Sequence, residues 1–489
     1  MRRTGRVPPM SSLAEHTARP TGAPIRPDAY ARRAAEVLHG LGVRPEHRVA
    51  LHAGNSAEYV WALLGLMRLG AGVVLLDHLR SARSAQEAAA RVRADRLLRA
   101  DVSPGDPAGP VPVLSLAEVA DRVYERDPAP PAAPLPLDAW EAREDALIAW
   151  SSGSTGEPKA IVRSGRSVLE NTRRTVARMG YRDSDVLAPL LPFSHQYGFS
   201  LVLIAQVTGC GLLTAPYTRL DRALEAVGAY AATVVDATPS AFRSLLRLLE
   251  RRPALADGLR GVRMWCTGGA PLDDRLARDF RAAVGLPLLD GYGSTELGNV
   301  ALAGPGAPGD CLPLDGVEVS VRDEAGRALP PGRPGEVWVR TPDVMRGLLG
   351  PDGTLSEPAA PGEFRTRDLG VLDARGGLRV LGRMSATTRH GYTLYPAHLA
   401  RKAERCGRPV HVVPVRDVRG GSRLVFLVED PRQRPASTWF AEFGKVLEPY
   451  EMPNLVLVLP GFPTNGNSKT DVPALEERAR RALAKGVHQ

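Results

Sequence analysis

Apolar positions recur at helical spacing over Ala31–Leu41, a stretch stopped by Gly42, and again over Ser56–Leu69, stopped by Gly70. Arg48–His52 and Val73–Leu76 are short apolar runs of strand length. Strands alternating with helices at this spacing predict a parallel sheet covered on both faces. The rhythm lapses over residues 101–137, rich in Pro, Ala and Asp, which predict a surface excursion around one short helix. It resumes with strands at Ala146–Trp150, Thr233–Asp236, Val262–Cys266 and Leu286–Leu289. From about Gly316 the pattern changes to short strands (VEVSVRD, GEVWVR, GLRVLGR) between Gly/Pro turns, as in a small β-rich subdomain. The last hundred residues hold three apolar strands (HVVPVRD, LVFLVED, LVLVLP) and helices, enough for a small α+β domain. The expected fold class is thus α/β. A large N-terminal domain of stacked α/β subdomains plus the β-rich piece spans 1–383, and a smaller α+β domain spans 384–489, divided near Arg383 to Ser385.

Composition changes this picture little. At 489 residues, 44% hydrophobic and 24% charged, the chain can bury sizeable cores, which excludes a mostly disordered or fibrous protein. The longest apolar stretch, Val60 to Leu76, is interrupted by Arg68 and fits a helix followed by a strand; no membrane span is expected. The start, MRRTGRVPPM, leads into no apolar segment, so no signal peptide is expected. Cys210, Cys266, Cys311 and Cys406 lie far apart without CxxC spacing, which predicts neither disulfides nor a zinc site and fits a reducing cytoplasm.

The net charge of +9 raises the question of nucleic acid. The cations, however, are spread as Arg pairs among Ala and Leu, with no basic block interleaved with aromatics, so no nucleic-acid partner is expected. Their type is more telling: of 63 cationic side chains only Lys159, Lys402, Lys445, Lys469 and Lys485 are lysine. Where nearly every solvated cation is Arg, surviving lysines mark candidate positions for a compact charge on a flexible stem. Lys159 and Lys469 fall in Gly-rich motifs; Lys402, Lys445 and Lys485 read as ordinary surface residues.

The sharpest motif is Trp150-Ser-Ser-Gly-Ser-Thr-Gly-Glu-Pro-Lys159, directly after a strand. Its glycines and hydroxyls let N–H and O–H groups wrap a polyphosphate while the lysine supplies countercharge. It lacks the Walker G-x-x-x-x-G-K spacing, and by composition alone a plain Ser/Gly loop between strands is an equal alternative. Asp290-Gly-Tyr-Gly-Ser-Thr-Glu296 also follows an apolar strand; its carboxylate can hold Mg²⁺ and Tyr292 offers a flat face to a purine. Gly268-Gly-Ala-Pro271 forms a third Gly-rich turn after the strand VRMWC. Open parallel sheets bind ligands at such strand ends.

These pieces, with FRTRDLG, GRMSATTRHGYTLYP and PTNGNSK, stand in the order found in the adenylate-forming superfamily of acyl-CoA synthetases, peptide-synthetase adenylation domains and luciferases. The chain resembles that group from about Ala31 to Leu475. The resemblance implies a hinge and a mobile C-terminal domain, and ATP-dependent conversion of a carboxylate to an acyl-adenylate with release of pyrophosphate. It places Ser151, Ser152, Gly153, Ser154, Thr155, Gly156 and Lys159 around the β- and γ-phosphates, and Mg²⁺ on Glu296. Gly268, Gly269, Ala270, Gly291, Tyr292 and Gly293 would border the adenine and the acyl group, with Thr295 near the α-phosphate. Asp368 would receive the ribose hydroxyls, Arg383 would add a polar contact, and Lys469 would bridge the α-phosphate and the carboxylate.

The acyl pocket is less legible. Pro192-Phe-Ser-His195 resembles the PxFH segment of acyl- and aryl-CoA synthetases, where the histidine lies beside the substrate carboxylate as a gate; a core histidine is the plain alternative. Asp236, in VVDATPS, is expected at a buried strand end facing that pocket. A lone buried carboxylate is costly. It pairs either with a substrate ammonium, making the acid an amino acid, or, the slightly favoured account, with an Arg or backbone amides. Too few aromatics stand near these residues to predict an aryl slot.

The chain departs from the family pattern at Arg367 (usually Gly), Ser385 (usually Asp or Lys), Thr387–Gly391 (a shortened loop), His398 (usually Glu) and Ser468 (usually Gly). Most lie on the face that relatives turn inward for thioester formation, so the second half-reaction is the part in question. The leading expectation is adenylation of a small carboxylic acid and transfer to a thiol, on CoA or on the phosphopantetheine of an acyl carrier protein. Transfer to nitrogen or oxygen is the alternative, and a non-catalytic nucleotide- or acyl-binding homologue the third.

Overall fold

The computed structural model describes residues 23–102, 109–125, 135–152, 158–309, 311–358, 360, 362–384, 387–389, 392–416, 422–448, 451–465 and 470–484. Gly153, Ser154, Thr155, Gly156, Ser385, Ser468 and Lys469 lie outside them, as does the side chain of Ser152.

The first sheet has eight strands in the spatial order Leu355–Ser356, Gly347–Leu349, Pro158–Arg163, Leu147–Ser152, Gly72–Leu76, Arg48–His52, Arg96–Arg99 and Val113–Ser115. Its last five strands run parallel. The helix Ala57–Leu69 shows why the sequence folds this way. The Ser56 hydroxyl accepts from the Tyr59 N–H, Gly70 closes the other end at φ +80°, and ten of the thirteen residues between are buried.

The second sheet has seven strands in the order Cys311–Pro313, Gly298–Ala303, Leu288–Ser294, Met264–Gly268, Val234–Ala237, Val186–Pro189 and Gly211–Leu212. Its middle strands are parallel, so the carboxyl ends of Val234–Ala237, Met264–Gly268 and Leu288–Ser294 open on the same side. The helices Gly165–Met179 and Gln196–Thr208 pack together, and the second is buried from Gly198 to Ala205. A four-stranded antiparallel sheet, Glu318–Arg322, Gly335–Arg340, Glu363–Leu372 and Leu378–Arg383, forms the β-rich subdomain. Beyond it, the strands Val410–Arg416, Ser422–Glu429 and Leu455–Leu459 and their helices bury two apolar clusters drawn entirely from the last hundred residues. The α/β class and the large and small domains are as expected.

Two expectations need correction. Residues 101–137 are more than a surface excursion. Val113–Ser115 extends the first sheet in parallel, and Leu116, Val119 and Val123 of the next helix enter the main core while Tyr124 stacks edge-on against Tyr30 and Trp61. A two-turn amphipathic helix needs few apolar residues to dock, so the Pro/Ala/Asp surroundings masked it. The β-rich subdomain is also not contiguous, because Gly347–Leu349 leaves it to pair antiparallel with Pro158–Arg163 of the first sheet. Among the described residues no helix is long and apolar enough to cross a membrane.

Candidate active site

The carboxyl ends of the second sheet's parallel strands frame a cavity of about 150 Å³. Gly268, Gly269, Gly291, Tyr292, Gly293, Thr295, His195 and Asp236 all line it. Ala270, next in the chain, is exposed and does not. Gly269 sits at φ +78°, a left-handed turn that a side chain would resist. That geometry turns the chain away from the strand end and leaves the cavity open beside Tyr292.

Across the mouth, Tyr292, Asp368 and Arg383 gather although they come from separate motifs. The Tyr292 hydroxyl donates to Asp368 Oδ2 at 2.7 Å, and Arg383 Nη1 lies 3.2 Å from Asp368 Oδ1. Burial raises the Asp368 carboxyl against the lowering pull of Arg383, and it raises the Tyr292 phenol further beside that carboxylate. A 13% exposed carboxylate held by a phenol and a cation can receive vicinal hydroxyls. Arg367, immediately before it, has φ +58°, so the position where relatives carry glycine is left-handed here too.

Ser151, Lys159 and Glu296 do not line the cavity. Ser151 and Lys159 face each other in register on the hairpin of Leu147–Ser152 and Pro158–Arg163, which flanks the Gly153–Gly156 segment. Glu296 is tied to that hairpin: Met345 N–H donates to the Glu296 carbonyl and the adjacent Arg346 N–H donates to Val162, both at 2.7 Å. Behind them Arg163 is buried, and Arg174 and Asn171 both hold the Asp343 carboxylate. Burial lowers the Arg163 guanidinium to about 10, against the opposing fields of Asp343 and Glu296. None of Arg163, Arg174 or Asp343 was singled out in the sequence, because buried charges look like surface charges until the fold is known.

His195 is not a core histidine. It stands at the start of the helix Gln196–Thr208, a third exposed, with Nε2 3.2 Å from Asp77 Oδ2. Burial alone would raise the Asp77 carboxyl, but His195 and the Leu79 N–H hold it below its usual value. Asp77 went unnoticed in the sequence, yet it follows the run Val73–Leu76, and a ligand search at every parallel strand end would have found it.

Asp236 overturns the favoured account. Among the described residues no arginine or backbone amide pairs with it; Oδ1 accepts from the Tyr197 hydroxyl at 3.0 Å, and Oδ2 has no partner. Arg263, just before the neighbouring strand Met264–Gly268, pairs with Asp185 instead. Burial pushes the Asp236 carboxyl up to about 7 despite the phenol. The pocket is also more aromatic than the sequence suggests, since Tyr181 and Tyr197 line it beside Tyr292. Lys402, read as a surface residue, instead bonds the buried Glu451 at 2.6 Å.

Comparison with known proteins identifies the family. The profile describing AMP-binding enzymes matches residues 27–349. A "4-coumarate--CoA ligase-like 6" of Oryza sativa is 29% identical over 458 residues, covering 84% of this chain and 75% of its own. The "3-[(3aS,4S,7aS)-7a-methyl-1,5-dioxo-octahydro-1H-inden-4-yl]propanoyl:CoA ligase" of Mycobacterium tuberculosis is 28% identical over 505 residues, 96% of each chain. The fold superposes on ATP-bound MatB from Rhodopseudomonas palustris with a TM-score of 0.80 at 24% identity, over 93% of both. With the profile spanning about two thirds of its length and its Gly-rich turns gathered at the strand ends, the chain belongs to the family of AMP-binding enzymes.

Proposed function

We propose that the protein activates a small carboxylic acid with ATP, releasing pyrophosphate, and passes the acyl group to a thiol, on CoA or on a carrier protein's phosphopantetheine. The observation that carries this reading is the continuity of the cavity. The Gly268–Gly269 turn and Tyr292, backed by Asp368 and Arg383, share one space with His195 and Asp236. A nucleotide held by the first group presents its α-phosphorus to an acid held by the second.

A carboxylate oxygen then attacks that phosphorus, forming one P–O bond as the bond to the departing diphosphate breaks. The reaction builds charge on phosphate oxygens, and fixed cations and donors lower its barrier. Lys159, Ser151, Ser152 and the Gly153–Gly156 segment take the β- and γ-phosphates, Thr295 the α-phosphate, and Lys469 the α-phosphate and the carboxylate. His195, positioned by Asp77, borders the acid. Glu296 would hold Mg²⁺ through its single carboxylate, and the described residues hold no group of three or more His, Cys, Asp or Glu placed to bind a metal. Bound there, it supplies charge neutralisation to the leaving diphosphate. Residues 384–489 form the unit that carries Lys469 toward the site.

The test is acid-dependent exchange of labelled pyrophosphate into ATP. Lys469→Ala lowers it by about a hundredfold or more while leaving ATP binding nearly intact. Full exchange in that variant, or none with any acid in the wild type, overturns the proposal. A second reading, transfer to nitrogen or oxygen, draws support from the shortened loop, where Thr387–Arg389 pairs antiparallel with Tyr392–Leu394. It predicts hydroxamate from the trapped adenylate but no thioester with CoA.

A further inference from the structure

The wall of the cavity opposite its mouth has one feature that ATP chemistry does not use. Asp236, Cys266 and Leu289 lie in register across three neighbouring parallel strands, so their side chains share one face. Tyr197, Leu201 and Ile204 from the helix Gln196–Thr208 stand across from them, with Met179 and Tyr181 beside them. Tyr197 satisfies the Asp236 carboxylate from within on one oxygen, Oδ1. Gln196 Oε1, Thr267 Oγ1 and Ser294 Oγ of the cavity lining have no partner, and neither has Asp236 Oδ2, the one carboxylate oxygen among them. It belongs to a side chain 1% exposed.

An acceptor of this kind, buried among apolar and aromatic groups, is costly to leave empty and therefore selective when filled. Building on the adenylation reading, we infer that the acid substrate is compact and carries one hydrogen-bond donor on its tail, an amino or hydroxyl group, which Asp236 Oδ2 receives. The size follows from the cavity, whose volume of about 150 Å³ the acid shares with the nucleotide side, which leaves its tail no more than about a benzene-sized group. The chemistry follows from the wall: an unbranched fatty tail would bury that oxygen against methylene groups, whereas a donor would complete it. Tyr197 holds the carboxylate in place, so the acceptor is oriented before the ligand arrives.

Matched acids test this. Pyrophosphate release is measured with benzoate against its amino- and hydroxy-substituted forms, and with butanoate against 4-aminobutanoate and 4-hydroxybutanoate. The wild type should favour a donor-bearing member of at least one series by tenfold or more in kcat/KM. Asp236→Leu should abolish or invert that preference, and Asp236→Asn, whose oxygen stays with Tyr197 and whose amide NH2 takes the place of Oδ2, should retain it for hydroxyl acids, which can accept, and weaken it for amino acids, which as ammonium cannot. Thermal melts and ATP binding confirm that both variants are folded. Turnover of donor-free acids at equal rates, or an unchanged preference in Asp236→Leu, overturns the inference and leaves adenylation standing. No release with any acid of either series overturns the inference, and the adenylation reading falls with it only if a wider panel of acids also gives none.

Discussion

Arg367 carries a lesson about single positions. Its backbone is left-handed at φ +58°, its side chain is exposed, and its carbonyl accepts from the Met384 N–H at 2.8 Å. An L-residue bears a steric cost of about 1 kcal/mol in that conformation, and glycine does not. Arg367→Gly should therefore gain up to about 1 kcal/mol in urea unfolding, less the greater freedom glycine gives the unfolded chain. A loss of stability would show that the guanidinium is making a contact worth more than the strain. The sequence marked this position as unusual, but only the dihedral angle says what the usual glycine is for. Asp236 is the reverse case. Its burial was legible from the apolar run around it, but its partner was not, because a tyrosine forty residues upstream in the chain leaves no periodic signal.

Elements were easier to read than residues. The strand at Arg48–His52 and the helix after Ser56 were legible to within a residue, since each has an unbroken apolar pattern and a clear stop signal. What the pattern could not give was partnership. The strand Gly347–Leu349 reads like its antiparallel neighbours and crosses to another sheet, a choice made by tertiary register rather than local composition. The helix Gln196–Thr208 shows how tightly an element can be held. A Cβ added at Gly198 would sit 2.1 Å from the Pro192 carbonyl oxygen, a backbone atom with little room to yield. Gly198→Ala should displace the helix start, cost about 2–3 kcal/mol and raise the KM for the acid more than that for ATP. A variant with wild-type melting and unchanged KM values would mean that Pro192 gives way freely.

For the whole molecule, buried ionisable groups set how stability follows pH. Burial lifts Asp236, Asp290 and Glu404 to about 7, and it holds His52, His398 and His411 below 6.5. A carboxyl raised in the folded state carries no penalty below its unfolded value near 4; the penalty grows as pH climbs to about 7 and is constant above. The histidines act oppositely, adding stability as pH rises toward 6.5. The wild-type profile therefore mixes both, and a difference isolates one. Asp236→Asn keeps the acceptor for Tyr197 and removes the charge, so its stability relative to wild type should rise by up to about 1.4 kcal/mol per pH unit between 5 and 7. A gap that stays level over that interval would mean the carboxyl titrates in its ordinary range.

The pair of amides at Met345 and Arg346 has an engineering corollary. Because one grips the Glu296 carbonyl and the next grips the Lys159-bearing strand, the segment of Glu296 and the strand of Lys159 share a mechanical link. Chimeras that exchange the Ser/Gly loop with a relative, but leave residues 343–349 behind, would mismatch the two halves of one clamp. Crossover points belong outside that seam.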